Sequence, residues 1–101
     1  MPATRYEILL PLKYNDGTDI EPEKLLLTKR ELVARFGALT VDPAPVEGVW
    51  TYEGAAYQDY VLDIKEDAPE VQEFFEEFKE TLKIRFRQID VWIIAYPIRV
   101  V

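Results

Sequence analysis

The stretch from Asp67 to Gln88 constrains the fold more than any other part of the chain, because its type, its ends and its buried face can all be read from spacing. Val71, Phe74, Phe75, Phe78, Leu82, Phe86 and Ile89 recur at intervals of three and four. At about 3.6 residues per turn that spacing lays them in one stripe along a helix. Asp67 followed by Glu70 has the form of a capping box, and Pro69 suits the first helical turn. Glu70, Glu73, Glu76 and Glu77 crowd the start and Lys79, Lys83, Arg85 and Arg87 the end, so charges oppose the helix dipole at both termini. Such a helix needs an apolar surface to cover, and the remaining segments supply strands.

Arg5 to Leu12 alternates, with Tyr6, Ile8, Leu10 and Leu12 on one face, and reads as a strand that loosens at Pro11. Asn15, Asp16 and Gly17 turn the chain. A helix follows over Pro22 to Phe36, starting either at Pro22 or, on the capping-box signal of Thr28 and Glu31, at Lys29. Leu25, Leu32, Val33 and Phe36 form its stripe, and Gly37 is placed for a left-handed stop. Pro43, Ala44 and Pro45 make a rigid connector to a strand over Val46 to Tyr52. Glu53 and Gly54 turn that strand into another over Tyr57 to Ile64. The last strand, Asp90 to Val100, is apolar on both faces, and Pro97 puts it at a sheet edge. The order strand, helix, strand, strand, helix, strand is that of an α+β, ferredoxin-like domain. It predicts a four-stranded antiparallel sheet with both helices on one face and residues 1–101 as a single domain.

With 101 residues, 49% of them hydrophobic and 31% charged, the chain has enough apolar material for one core and reads as globular rather than disordered. It has no Cys and no His. Thiol nucleophiles, disulfides, Ser-His dyads and zinc sites of thiolate or imidazole are thereby excluded, and any metal would be held by oxygen alone. The start MPATRYEILL has no leader-like apolar run and no segment approaches the roughly 18 apolar residues of a membrane span, so the expected setting is cytoplasmic. A net charge of −7 repels phosphate backbones and anionic lipid, so neither nucleic acid nor membrane is an expected partner.

Phe36-Gly37-Ala38-Leu39-Thr40, then Gly48-Val49-Trp50, then Gly54 and Asp59, resemble small bacterial and phage single-domain proteins with an FGG-x-T, G-x-W, G-x(4)-D layout. Ala38 stands where that layout has a second glycine. The resemblance covers about the middle quarter of the chain. It implies a fold and carries no activity.

The candidate chemistry is sparse. Asp59 and Asp63 share a strand face with Cα atoms about 13 Å apart, too far for one ion, so they read as part of a solvated face. No catalytic residue, metal site or cofactor is expected. Trp50, Tyr52 and Asp59 are the candidate binding residues, and a pocket between sheet and helices is where a small-molecule binder or cofactor-free enzyme would use them. The aromatic residues of the strands lack the basic, glycine-rich setting of RNA-recognition sheets. The last strand is more informative. Trp92, Ile94 and Tyr96 fall on one face and Val91 and Ile93 on the other, and two helices shield only one side of a sheet. The expectation is a binding domain that forms a homodimer, with Trp92, Ile94 and Tyr96 at the interface, unless the C-terminal tail or the Thr18 to Leu27 segment covers that face.

Overall fold

A computed structural model describes residues 2–41, 49–52, 55–65 and 68–101. In chain order the described elements are β1 (Pro2–Pro11), α1 (Pro22–Phe36), β2 (Thr40–Val41), β3 (Val49–Tyr52), β4 (Ala55–Ile64), α2 (Pro69–Arg85) and β5 (Trp92–Arg99). The class is α+β, with the helices segregated from one antiparallel sheet.

The four-stranded, ferredoxin-like sheet expected from the element order is not what forms. Three long antiparallel strands make the body of the sheet, with β1 between β4 and β5. Where a fourth strand over Val46 to Tyr52 was expected, the outer edge of β4 carries two short pieces end to end. Thr40–Val41 pairs with Val61 and Tyr60, and Val49–Tyr52 pairs with Gln58 to Ala55. The physical reason lies between them. In sequence, Pro43 and Pro45 separate the two pieces, and a proline has no N–H to give to a ladder. The Pro43 to Pro45 connector, Val46 to Gly48 and the Glu53-Gly54 turn lie outside the described residues. β5 is the other edge, where Pro97 is tolerated.

Both helices start at a proline. α1 begins at Pro22, with Thr28 well inside it, and ends where Gly37 adopts φ 83° and donates its N–H to the carbonyl of Val33. α2 begins at Pro69 after Ala68, which gives no side-chain cap, and the Asp67 cap lies outside the described residues. Its end is sharper than the sequence suggests. Arg87 takes a left-handed φ of 52°, Arg87 N–H donates to the Ile84 carbonyl and Gln88 N–H to that of Lys83. That is a Schellman arrangement with a non-glycine residue in the left-handed position. The ammonium of Lys24 on α1 donates to the Arg85 carbonyl at 3.0 Å, satisfying one of α2's last free acceptors.

Tyr6, Ile8 and Leu10 of β1, Tyr60 and Leu62 of β4 and Val91 meet Leu32 of α1 and Phe75, Phe78, Leu82 and Phe86 of the α2 stripe in one core. The rings interlock, with Tyr6 stacked on Phe75 at 4.0 Å between centroids and Phe36 on Phe75 at 5.4 Å. Val71 and Phe74 pack at the margin of the core. Ile89, the last member of the expected stripe, does not join it and is 91% exposed. The turn at Arg87 carries it away.

Candidate functional site

Because both helices pack on the Tyr6–Ile8–Leu10 side, the alternate residues of the same strands form the face that no described layer covers. Period two puts Arg5, Glu7 and Leu9 there from β1. Register then sets three cross-strand rows: Asp63, Arg5 and Tyr96; Val61, Glu7 and Ile94; Asp59, Leu9 and Trp92. The segment considered as an alternative cover joins the opposite side, where Ile20 and Leu25 contribute to the core.

The first two rows are tied together by polar contacts. Arg5 donates from Nε and Nη2 to both carboxylate oxygens of Asp63, at 2.7 and 3.0 Å. This fork raises the guanidinium's affinity for its proton and holds the Asp63 carboxyl below the ordinary carboxylate range. The Tyr96 hydroxyl donates to Oε1 of Glu7, and that carboxylate raises the phenol's pKa, so the hydroxyl keeps its proton. Arg5 and Asp63 are thus matched within one chain, while the Glu7 carboxylate accepts from a neutral phenol. Neither pair is deeply buried, with Arg5 and Asp63 side chains 37% and 45% exposed, so each contributes little stability by itself.

The third row ends in an apolar hollow. Leu9 is 4% exposed and Trp92 43% exposed, and beside them Tyr57, Ile89, Asn15, Gln88 and Asp90 complete a cleft of about 280 Å³. Asp90 on its rim is occupied: it pairs with Lys79 at 3.0 Å, which holds its carboxyl below the ordinary carboxylate range, and accepts the Val91 N–H at 3.0 Å.

The expected site residues are distributed unevenly over this geometry. Trp92, Ile94 and Tyr96 share the uncovered face, Trp92 exposed and the other two half-buried. Asp59 and Asp63 share it as well, yet the solvated pair read from the sequence is corrected: Asp59 is 4% exposed while Asp63 reaches out to Arg5. Asp59 lies opposite Leu9 in mid-strand, at the step where the outer edge of β4 passes from β2 to β3, and neighbours shield it. Trp50 and Tyr52 lie in β3 opposite Tyr57 and Ala55, and their side chains are outside the described residues. Among the described residues no group of three or more Asp or Glu is placed to hold a metal, and no helix is long and apolar enough to cross a membrane.

Leu9, Tyr57 and Ile89 complete the cleft without having been singled out for it. Leu9 follows from alternation along β1, but Ile89 fits the helical stripe so well that spacing alone assigns it to the core. On the helix side a second hollow, of about 370 Å³, runs between α2 and the β5 edge. Gln72, Glu76 and Lys79 form one wall, Ile93 and Ala95 the other, and the stacked Tyr6 and Phe75 the floor.

No family model, curated protein or solved structure matches the chain.

Proposed function

We propose that this domain is a binding module that acts by pairing with a second copy of itself through the uncovered face of the sheet. The observation that carries the reading is Trp92, a large aromatic side chain left 43% exposed beside Leu9 on a face that neither helix reaches. Aromatic residues in such positions dominate the centres of protein contacts. The ion pair of Arg5 and Asp63 supports the same reading, because a charge already paired within its own chain can be covered without being stranded. Repulsion between two chains of charge −7 works against pairing and is screened by salt, so association should tighten as ionic strength rises.

Sedimentation equilibrium at micromolar concentration tests this directly. The expected mass is twice the 11.8 kDa of one chain, and Trp92→Asp should give a folded monomer. A monomeric parent protein would overturn the proposal, and complete unfolding of Trp92→Asp would return Trp92 to a core role.

A second reading, a small-molecule site between sheet and helices, is favoured by the hollow along α2 and β5, whose volume falls within the roughly 300–1,000 Å³ of ligand sites. Thermal-shift screening of neutral organic compounds tests it. A stabilising compound should lose its effect in Ala95→Phe, which narrows that hollow, and a compound indifferent to this change would remove the reading.

A further inference from the structure

Resting on the pairing proposed above, we infer that the contact between copies centres on Ile89, which enters the cleft between Tyr57 and Trp92 of the second copy. A lone exposed aliphatic residue is ordinary on a protein surface. The position of this one is not. It is 91% exposed, and it stands at the rim of a cleft floored by Leu9 and walled by Tyr57 and Trp92. The backbone holds it there: α2 stops at Arg85, the left-handed Arg87 reverses the chain, and the two bonds to the Ile84 and Lys83 carbonyls fix the turn. Ile89 therefore stays out of its own core.

A twofold contact presents the same patch from both sides, so it needs a surface complementary to itself. A projecting side chain next to an apolar hollow meets that need, since each copy gives one and receives one. The cleft, at about 280 Å³, lies just under the usual range of small-molecule sites and is roomy enough for one aliphatic side chain. Its surroundings match as well. Leu9 and Trp92 form the end of the uncovered face, so the contact is continuous with it. Asp90, the only charged residue of the rim among the described residues, is paired with Lys79 in its own chain, while Asn15 and Gln88 supply the polar margin typical of such contacts.

The test uses the full chain. Ile89→Ala should weaken dimerisation about tenfold and Ile89→Asp at least a hundredfold in sedimentation equilibrium. At dilutions where all variants are monomers their thermal unfolding should match the parent's, because so exposed a side chain supports nothing within one chain. The absence of native cysteine allows a second readout. Ile89→Cys mixed with Tyr57→Cys should give a disulfide-linked pair of the two variants on mild oxidation. A parent dimer that persists in Ile89→Asp would overturn this inference and leave the pairing reading intact. A dimer broken by Ile89→Asp but not cross-linked to Tyr57→Cys would also overturn it, by placing Ile89 against another surface. A parent monomer would overturn both.

Discussion

Nη1 of Arg85 donates to the hydroxyl of Thr28 at 2.8 Å, joining the two helices through residues 57 positions apart in sequence. Thr28 is fully buried and its hydroxyl donates in turn to the Lys24 carbonyl at 2.8 Å, while Glu31 approaches the same guanidinium nitrogen to 2.6 Å. Thr28→Val keeps the shape and removes this acceptor from the guanidinium of Arg85, whose side chain is only 14% exposed. The expected loss is about 1–3 kcal/mol, with Thr28→Ser retaining most of the stability. Urea unfolding of both variants measures it, and an unchanged midpoint for Thr28→Val would show that Glu31 alone suffices.

Phe78 is 5% exposed in the middle of the α2 stripe, with its ring stacked on Phe74 at 5.2 Å. Phe78→Ala should cost about 3–5 kcal/mol through lost burial and the cavity left behind. Glu76→Ala, on the exposed side of the helix, should cost under about 0.5 kcal/mol. Equal losses in denaturant titrations would mean that α2 presents another side to the sheet.

The left-handed Arg87 gives a comparison that isolates backbone conformation. Its guanidinium lies 4.9 Å from the centroid of the Tyr14 ring, and both Arg87→Ala and Arg87→Gly remove that contact. Only glycine also relieves the positive φ. Arg87→Gly should therefore be more stable than Arg87→Ala by about 1 kcal/mol. Identical melting curves would indicate that the turn is not held left-handed in solution.

Asp63 sets a pH dependence of definite sign. Arg5 holds its carboxyl below the ordinary value, so the folded state binds this proton less readily than the unfolded chain. The stabilisation is complete above the ordinary carboxylate pKa and is lost as pH falls through the lower, folded-state value. Asp63→Asn should flatten part of the acid limb of a stability profile while leaving the neutral-to-alkaline side parallel to the parent's. A profile that keeps its full acid slope in the variant would show that the Arg5 fork is not maintained in solution.

What could be read from sequence follows the range of the interactions involved. The α2 residues from Val71 to Phe86 were legible because helical periodicity is local and four aromatic rings mark one side of it. Ile89 continues the same period, and only the φ of Arg87, which no neighbouring glycine announces, removes it from the core. Thr28 and Glu31 show the converse. Their spacing has the form of a helix start, yet in mid-helix both serve Arg85 from the other helix. Alternation along β5 separated Trp92, Ile94 and Tyr96 from Val91 and Ile93. The partners of that face, Asp63 with Arg5 and Tyr96 with Glu7, depend on cross-strand register, which a single sequence does not write down. The expected four-stranded sheet failed for a related reason: that Thr40–Val41 also pairs with β4, ahead of Val49–Tyr52, depends on register and not on any pattern within those residues.

Pro97 has a consequence for how many molecules can gather. β5 keeps its pairing with β1 through Pro97 and on to Arg99, so the missing donor falls on the outward row of the edge strand. A stranger's strand arriving there finds a gap in the template, and sheet cannot be added to sheet without limit. Stacking by faces consumes the surface it uses and ends at a pair, whereas growth by edges would run on as a filament. One imino acid thus makes this edge a poor template for fibre growth.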